Sequence, residues 1–192
     1  MSQAITPLHH SWSLLVDAGK CPPGTEWLDI VKLISSFASV ESFWSAYNNV
    51  VPPSSLNVNS TYHLFRKGIK PMWEDPSNAK GGKWVMSMPR GRGQTDNVKR
   101  VDEWWMYTVL AMVGETMGEE GKEVCGAVVS IRKSQDKLAL WINTTEKTAA
   151  IKIGQRWKDA LKISDKTTLR FQAHADAVKS NSSFNNKIQY EV

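Results

Sequence analysis

Two β-rich runs joined by a short polar connector constrain the fold of this chain more than any other feature of its sequence. They lie in the stretch GAVVSIRKSQDKLALWINT, and their spacing predicts a β-hairpin and hence an antiparallel sheet. Successive side chains of a strand point to opposite faces, so the second run has two different sides. We expect Leu138, Leu140 and Ile142 to face the core. Lys137 and Trp141 then face an open side of the sheet.

The open side of this hairpin combines an aromatic ring with positive charge. Arg132 lies across the turn from Lys137, and Trp141 follows on the same face as Lys137. Such a surface suits a nucleotide, because the ring can lie under the base and the cations under the phosphates. The alternative is that Trp141 packs at the rim of the sheet and that the cations form an ordinary charged hairpin end.

Further strands and two shorter helices are predicted around the hairpin. Strand patterns occur in STYHLFRKG, GKWVMSMP, TTLRFQAH and KIQYEV. A helix is expected from about Val40 to Asn48, with Ser39 as its cap. Another is expected in TTEKTAAIKIGQRWKDALKI, with Thr144 or Thr145 near its cap. Its apolar side comprises Ala149, Ile153, Trp157 and Leu161.

A long helix is predicted from about Asn97 to Met117, and it carries two apolar stripes. The first stripe comprises Val98, Val101, Trp105, Thr108, Val109 and Met112. The second comprises Met106, Leu110, Val113 and Met117. This helix is apolar around more of its circumference than packing on one sheet requires. Either it is buried on two sides, or the second stripe is a docking surface for a partner helix.

Composition and charge set the class of protein. The 192 residues are 41% hydrophobic, which is enough for one sizeable core and predicts a single domain. The net charge of +5 favours an anionic partner. Cys21 and Cys125 lie far apart and in no metal-ligand spacing, so neither a disulfide framework nor a zinc site is indicated. With no signal-peptide pattern and no apolar run of membrane-spanning length, we expect a soluble intracellular protein.

Two polar segments are expected to be loops beside the open face. KPMWEDPSNAKGGKW contains two prolines and a Gly-Gly pair, which exclude a helix there, yet its fourth residue is a tryptophan, one of nine in the chain. We expect this residue, Trp73, to be exposed. The segment ADAVKSNSSFNN is expected to be a flexible loop.

Several motifs in order along the chain resemble one known family. These are EWLDIVKLISSFASVESFW, GIKPMWED, GGKWVMSM, VCGAVVSIRKSQDKLALWIN and FQAHAD. They resemble the eukaryotic translation initiation factor 4E family, whose members bind the 5′ cap of messenger RNA, and the resemblance covers almost the whole chain. It implies an α+β fold with a curved antiparallel β-sheet of about eight strands, three main helices on its convex face, and the cap on its concave face. We expect one cap-binding domain over residues 1–192, with a flexible N-terminal arm over about residues 1–11 that includes a partner contact.

The resemblance also assigns the cap-binding residues. It implies that Trp27 and Trp73 stack on the two faces of the 7-methylguanine base and that Glu74 accepts hydrogen bonds from it. Further contacts are implied for Trp141 beside the N7 methyl group, for Arg132, Lys137 and Lys83 at the triphosphate, and for Lys179 near the second nucleotide. Many relatives have arginine where this chain has Lys83, which keeps the charge but not the planar fork. His174 also matches a family residue and is interpreted as local structural support.

A second surface is implied on the convex face. There, family members bind a helix of the scaffold factor 4G or of repressors that mimic it. The matching positions here are Pro7, Val40, Trp44, Met106, Tyr107 and Leu110. This chain reads Trp-Met-Tyr at 105–107 where relatives commonly read Trp-Leu-Glu, and Thr6 and Leu15 also depart from the family pattern. The partner is therefore expected to differ as well.

Three functions follow from these observations. The first is binding of the 7-methylguanosine cap and recruitment of the message to translation initiation, in the cytoplasm and, as an alternative, also in the nucleus. The second is a divergent paralogue that binds caps but represses or stores messages. The third is a general single-stranded RNA-binding module without cap selectivity. An enzyme is not expected, because the sequence has neither an acidic cluster for metal nor spaced histidine ligands; the pair in LHHSW lies in the expected arm. No cofactor and no metal are predicted.

Overall fold

Eight antiparallel strands form one curved sheet in the order β2-β1-β3-β5-β6-β4-β7-β8. The computed structural model describes residues 5–19, 21–90, 95–180 and 187–192, without the side chains of residues 95–99 and 180. The strands are β1 (Pro7–Asp17), β2 (Lys32–Ser39), β3 (Thr61–Arg66), β4 (Gly82–Pro89), β5 (Val124–Ser130), β6 (Gln135–Ile142), β7 (Arg170–Ala173) and β8 (Ile188–Glu191). The strands predicted from the sequence are all present, and the predicted hairpin is β5–β6.

Three main helices cover one face of the sheet, as predicted. The helices are α1 (Trp27–Ile30), α2 (Val40–Tyr47), α3 (Thr95–Val113), α4 (Lys147–Ala160) and α5 (His174–Ser180), with 3₁₀ turns at Pro53–Ser55 and Glu119–Glu123. The longer helices α2, α3 and α4 contribute to one hydrophobic core with the sheet. None of the helices in the described part of the chain is both long and apolar enough to cross a lipid bilayer.

Local capping fixes where two of these helices begin. Ser39 caps α2 as predicted, in a reciprocal capping box with Ser42. The cap of α4 is Glu146, whose carboxylate accepts hydrogen bonds from the backbone N–H groups of the first turn, and Thr144 and Thr145 lie just before it, near the cap as predicted. A carboxylate at this position also interacts favourably with the helix dipole.

The core side of the hairpin agrees with the alternation read from the sequence. Leu138, Leu140 and Ile142 are completely buried in the main core, while Trp141 lies in a separate cluster on the opposite face. On α4 the buried set is Ala150, Ile153, Gly154, Trp157 and Leu161, so Ala150 takes the place predicted for Ala149.

The long helix α3 is buried on two sides over only part of its length. Its first stripe is core: Val101, Trp105, Thr108, Val109 and Met112 are buried, whereas the side chain of Val98 lies outside the described residues. In the second stripe Val113 and Met117 are also buried, but Met106 and Leu110 are half-buried. The helix ends at Val113, four residues before the predicted end at Met117. Half of the second stripe is therefore core, and the other half remains accessible.

Two segments expected to be flexible are regular structure. Residues 175–180 of the predicted loop belong to α5, and residues 181–186 lie outside the described residues. In the expected N-terminal arm, residues 7–11 belong to β1, and residues 1–4 are not described. Pairing of Pro7 with Ser39 extends β1 into the arm as far as Pro7. Local composition does not reveal such sheet hydrogen bonds.

Candidate functional site

A small apolar cluster lies on the face of the sheet opposite the main core. It consists of Phe65, Cys125, Ala139 and Trp141, and we call it the floor cluster. Ile69, Trp73, Val85 and Val128 are partly buried against it. Because these residues come from four neighbouring strands and the Trp73 loop, the floor cluster marks the centre of this face.

The sequence analysis expected Trp141 to face an open side of the sheet. In the structure its side chain is buried in the floor cluster. Only 6% of its surface is exposed. Its ring packs edge-to-face on Phe65 at 5.5 Å between centroids and lies 4.2 Å from the ring of His174. The Nζ atom of Lys83, on the adjacent strand β4, is 6.0 Å from the Trp141 ring centroid. The Trp141 ring is thus fixed in position, and little of its surface is accessible to a ligand.

The Trp73 loop is held rigidly beside the floor cluster. Trp73 is half-buried, so the prediction of an exposed ring was wrong in degree, while Glu74 is exposed. Asp75 accepts hydrogen bonds from the backbone N–H groups of Lys70 and Ser77, each at 2.9 Å. These contacts close the loop without regular secondary structure and set the direction of the two site residues.

Asn78 closes the same loop from inside the protein. Its side chain is fully buried and donates to the carbonyl oxygens of Lys70 and Met72, both at 2.9 Å. A buried amide with two backbone partners orders the chain on either side of the tryptophan. Composition marked this segment as a loop, but only the structure shows that it is a fixed one.

Trp27 lies on the same face of the sheet as the floor cluster, next to β3. It begins α1, is 36% exposed, and packs edge-to-face on His63 at 5.6 Å. His63 and Phe65 are two residues apart on β3, so their side chains share a face of the sheet. Trp27 and Trp73 therefore border one surface, Trp27 through His63 and Trp73 through the floor cluster.

His63 and Asp17 are site residues that sequence reasoning missed. The Nε2 atom of His63 lies 2.7 Å from Oδ2 of Asp17, and both side chains are almost completely buried. Asp17 also accepts a hydrogen bond from the backbone N–H of Gly19. A histidine in the otherwise apolar run YHLF was the available signal. This pair supports the edge of the Trp27 ring.

Arg132 is already positioned by hydrogen bonds. Its guanidinium donates to the carbonyl oxygens of Ser60 and Ile131 and to the hydroxyl of Thr61, at 3.0–3.2 Å. Its backbone N–H donates to the buried carboxylate of Asp136. Guanidinium has five N–H donors, so these contacts fix the side chain and use three of them.

Arg132, Lys137 and Lys83 form a row of cations that we call the cation row. Burial lowers the pKa of Lys137, and the charge of Arg132 lowers it further. Burial, together with the charge of Lys137, lowers the pKa of Lys83 to about 8. The charge of Arg132 therefore disfavours the protonated form of Lys137, and the charge of Lys137 disfavours the protonated form of Lys83. An anion with several charges would relieve this repulsion.

α5 carries the last two residues of interest, and the first of them, His174, lies near Lys83. His174 is buried, and burial with the nearby charge of Lys83 lowers its pKa to about 3, so it is neutral at physiological pH. A neutral ring against Trp141 agrees with the structural role predicted for it. Lys179 is exposed on the same helix.

On the helix-covered face, three of the predicted partner residues lie together. The backbone N–H of Val40 donates to the carbonyl oxygen of Thr6 at 2.9 Å, which brings Pro7 beside the beginning of α2. The backbone N–H of Thr6 in turn donates to the Glu41 carboxylate. Trp44 is 37% exposed one turn further along α2. Pro7, Val40 and Trp44 thus form one accessible patch.

The three predicted partner residues of α3 do not all have the same surroundings. Met106 and Leu110 are half-buried in the second stripe. Tyr107 contacts the segment after α4 and its own helix: the Nζ atom of Lys162 is 5.2 Å from its ring centroid, and its hydroxyl donates to Glu103 of α3 at 2.6 Å. The side chain of Tyr107 therefore makes contacts within the protein. It does not replace the acidic side chain that relatives commonly have at this position.

Comparison with known proteins agrees with this geometry. The family model described as eukaryotic initiation factor 4E matches residues 7–189. The chain is 41% identical over 183 residues to eukaryotic translation initiation factor 4E-1 of Glycine max, covering 94% of this chain and 73% of the relative. It is 39% identical over 183 residues to initiation factor 4E of Aplysia californica, covering 94% and 82%.

Two solved structures have the same fold. One is a complex of C. elegans eIF4E-3 with the 4E-binding protein Mextli, with a TM-score of 0.87, 35% identity, and coverage of 98% of this chain and 100% of that one. The other is Ascaris suum eIF4E-3 with m7G cap, with a TM-score of 0.85, 33% identity, and coverage of 98% of both chains. The extent and identity of these matches show that the chain belongs to the eukaryotic initiation factor 4E family.

Proposed function

We propose that this protein binds the 7-methylguanosine 5′ cap of messenger RNA and, through a partner on its helix-covered face, brings the message to the translation initiation machinery. The cation row beside the floor cluster is the observation that carries the proposal. It is a set of three cations, of which Lys83 is buried and Arg132 and Lys137 are half-buried, on the face of the sheet that Trp27 and Trp73 border, and a cap supplies a triphosphate joined to a cationic base. The relative from Ascaris suum is described in complex with such a cap.

The base is the part of the cap that the two tryptophans recognise. Methylation at N7 leaves a positive charge on guanine, so the π faces of Trp27 and Trp73 attract it by stacking and by a cation–π interaction. Glu74 is exposed on the rigid Trp73 loop, where its carboxylate can accept hydrogen bonds from the N1 and N2 groups. Adenine has an acceptor where this carboxylate needs a donor, so it would leave Glu74 unpaired. Both features favour 7-methylguanine over other bases.

The triphosphate is expected to lie along the cation row. Arg132 presents its remaining N–H donors from a fixed position, while Lys137 and Lys83 add charge without a preferred geometry. Lys179, exposed on α5, is proposed to contact the nucleotide that follows the cap. Trp141, buried against Phe65, is proposed to lie beside the methyl group as part of the pocket wall.

The partner side of the proposal depends on the patch of Pro7, Val40 and Trp44 with Met106 and Leu110. An amphipathic helix is the occupant that fits, because these residues are apolar and lie on two neighbouring helices and a strand end. A relative, C. elegans eIF4E-3, is described in complex with a 4E-binding protein. We propose a partner of this kind, with an altered contact at Tyr107, in the cytoplasm. No catalytic step is part of the proposed function.

Quenching of tryptophan fluorescence by 7-methyl-GTP tests the cap site. We expect strong quenching by 7-methyl-GTP and little by GTP or ATP, and a large loss of affinity in Glu74→Gln. Glu26→Gln is the matched control, since Glu26 is an exposed acid next to the other stacking residue and its side chain makes no capping hydrogen bond. Equal responses to all three nucleotides would instead support a general RNA-binding module and refute the cap site.

Capture of partners by the wild type and by Trp44→Ala tests the second surface. We expect a 4E-binding peptide to lose affinity for Trp44→Ala while cap binding is unchanged. Val58→Ala is the control, because Val58 is an exposed apolar residue 45% accessible in the loop before β3. If Trp44→Ala retains the peptide as well as the wild type does, the proposed partner surface is wrong. Translation in a cap-dependent extract then distinguishes an activating protein from a repressing one.

A further inference from the structure

Two histidines and a glutamate bring three ligand atoms to one point away from the cap site. His9 and His10 belong to β1, and Glu115 follows the end of α3. The Nδ1 atom of His9 lies 3.1 Å from Nδ1 of His10 and 3.1 Å from Oε1 of Glu115. The Nδ1 atom of His10 lies 2.5 Å from the same oxygen. The three atoms form a small triangle that joins two elements of the fold.

This convergence requires an irregular backbone on both sides. Adjacent residues of a regular strand point to opposite faces, so His9 and His10 could not meet there. Pro7 pairs with Ser39, and the next paired residue of β1, Trp12, pairs with Phe37. More residues of β1 than of β2 lie between these two pairs, so β1 bulges out over both histidines. Glu115 has a φ of +53°, in the left-handed region that glutamate seldom adopts.

The triangle has the dimensions of a metal-binding face. Zinc bonds to imidazole nitrogen and carboxylate oxygen are about 2.0–2.1 Å long, which places neighbouring ligands of a tetrahedral site about 3.3 Å apart. Two sides of the triangle are 3.1 Å, and the third would open slightly as the ion enters. Imidazole with carboxylate is a usual donor set for this ion. The side chains of His9, His10 and Glu115 are 73%, 30% and 40% exposed, so an ion and a fourth ligand from water can reach them.

The neighbouring cation Arg66 does not compete for the cluster. Its charge acts on Glu115. Its guanidinium donates, however, to the backbone carbonyl oxygens of Gly121 and Lys122. The Glu115 carboxylate oxygen lies instead within hydrogen-bonding distance of both imidazoles.

We propose that His9, His10 and Glu115 form a divalent transition-metal site, with Zn²⁺ as the expected ion, that fastens the beginning of β1 to the end of α3. The sequence analysis predicted no metal site, because two adjacent histidines lack ligand spacing and the glutamate lies 105 residues away from His10. Without an ion, the two imidazoles contact the Glu115 carboxylate directly, as a hydrogen-bonded histidine–carboxylate cluster. The test must separate these two states, and it needs no nucleotide, so its outcome is independent of the proposed cap binding.

Titration of the tag-free protein with Zn²⁺ in a calorimeter is the first measurement. We expect one equivalent to bind, with a rise in the thermal midpoint of unfolding. His10→Asn and Glu115→Gln should each weaken binding about tenfold or more. Glu103→Gln, which removes an exposed carboxylate on α3 outside the cluster, should bind as the wild type does. Circular dichroism of each variant checks that it is folded.

Cobalt provides a second readout that a structural ion pair cannot produce. Co²⁺ bound by nitrogen and oxygen ligands in a tetrahedral or five-coordinate site gives visible d–d absorption, which Zn²⁺ should displace. Imidazole nitrogen NMR signals of His9 and His10 should shift on titration. Absence of cobalt absorption with unshifted imidazole signals would show an ion pair only and would overturn the proposal. Binding that is unchanged in both ligand variants would overturn it as well.

Discussion

Lys83 should make cap binding depend on pH in a way that an arginine would not. The pKa of this lysine is about 8 because it is buried and faces the charge of Lys137. A triphosphate bound along the cation row supplies the missing counter-charge and favours the protonated lysine. Binding is then coupled to proton uptake wherever the free protein has lost that proton. Lys83→Arg removes the coupling, because guanidinium stays charged throughout.

The size of the effect follows from the two pKa values. In the complex, the pKa should return toward its ordinary value of about 10.4. Below pH 8 the lysine is charged in both states and the affinity is constant. Above it, each pH unit weakens binding about tenfold until the pKa of the complex is reached, so a change from pH 7.5 to 9 should cost about eightfold in affinity. The sign is fixed: raising the pH weakens binding.

Fluorescence titration with 7-methyl-GTP at both pH values measures the effect. The base itself loses its N1 proton in alkaline solution, but it does so equally with every variant, so the informative quantity is the ratio of wild type to Lys83→Arg. Lys67→Arg, an exchange at an exposed lysine, should follow the wild type. If Lys83→Arg loses as much affinity as the wild type between these pH values, the assignment of Lys83 to the triphosphate is wrong.

Three further predictions test the fold and the support of the site. Gly154→Ala should destabilise the protein by about 1–3 kcal/mol in urea unfolding, because the new methyl group would lie 2.6 Å from the ring of Trp84; an unchanged midpoint would contradict this packing. Asp17→Asn should weaken 7-methyl-GTP binding and also lower the thermal midpoint, because His63 loses the buried carboxylate that orients it; unaltered affinity would contradict the supporting role. His174, with its pKa lowered to about 3, stays neutral in the fold while the unfolded chain takes up a proton below about pH 6.5, so stability should fall as the pH falls. His174→Gln should remove about 2 kcal/mol of that loss at pH 5, and parallel pH profiles of unfolding would refute it.

Local patterns predicted the strands and the division of their two faces. The alternation of β6 placed Leu138, Leu140 and Ile142 in the core, and the structure agrees because each faces the same helix-covered side. The capping of α2 by Ser39 was also predictable, since both partners of the capping box lie within four residues. Structural features that depend on contacts between residues close in sequence can therefore be predicted from the sequence.

Structural features that depend on contacts between residues far apart in sequence were not predicted. Residues 7–11 appeared to be an arm, because nothing in their composition shows that β2 and β3 pair with the strand they begin. Residues 175–180 appeared to belong to a loop, yet they are part of α5, which directly follows β7. Trp73 appeared exposed because the apolar surface that half-covers it comes from other strands.

The same distinction separates the ligand-contacting residues from those that position them. Trp27, Trp73 and Arg132 were found by motif, but Arg132 is fixed by Ser60 and Thr61, 72 and 71 residues away. Trp27 rests on His63, which is held in turn by an aspartate 46 residues away. Because both supports belong to β3 or to the residue before it, one strand orients the ring that is proposed to stack on the base and the cation that is proposed to bind phosphate. Substitutions in β3 should consequently alter base and phosphate recognition together, although no residue of β3 is itself proposed to touch the cap.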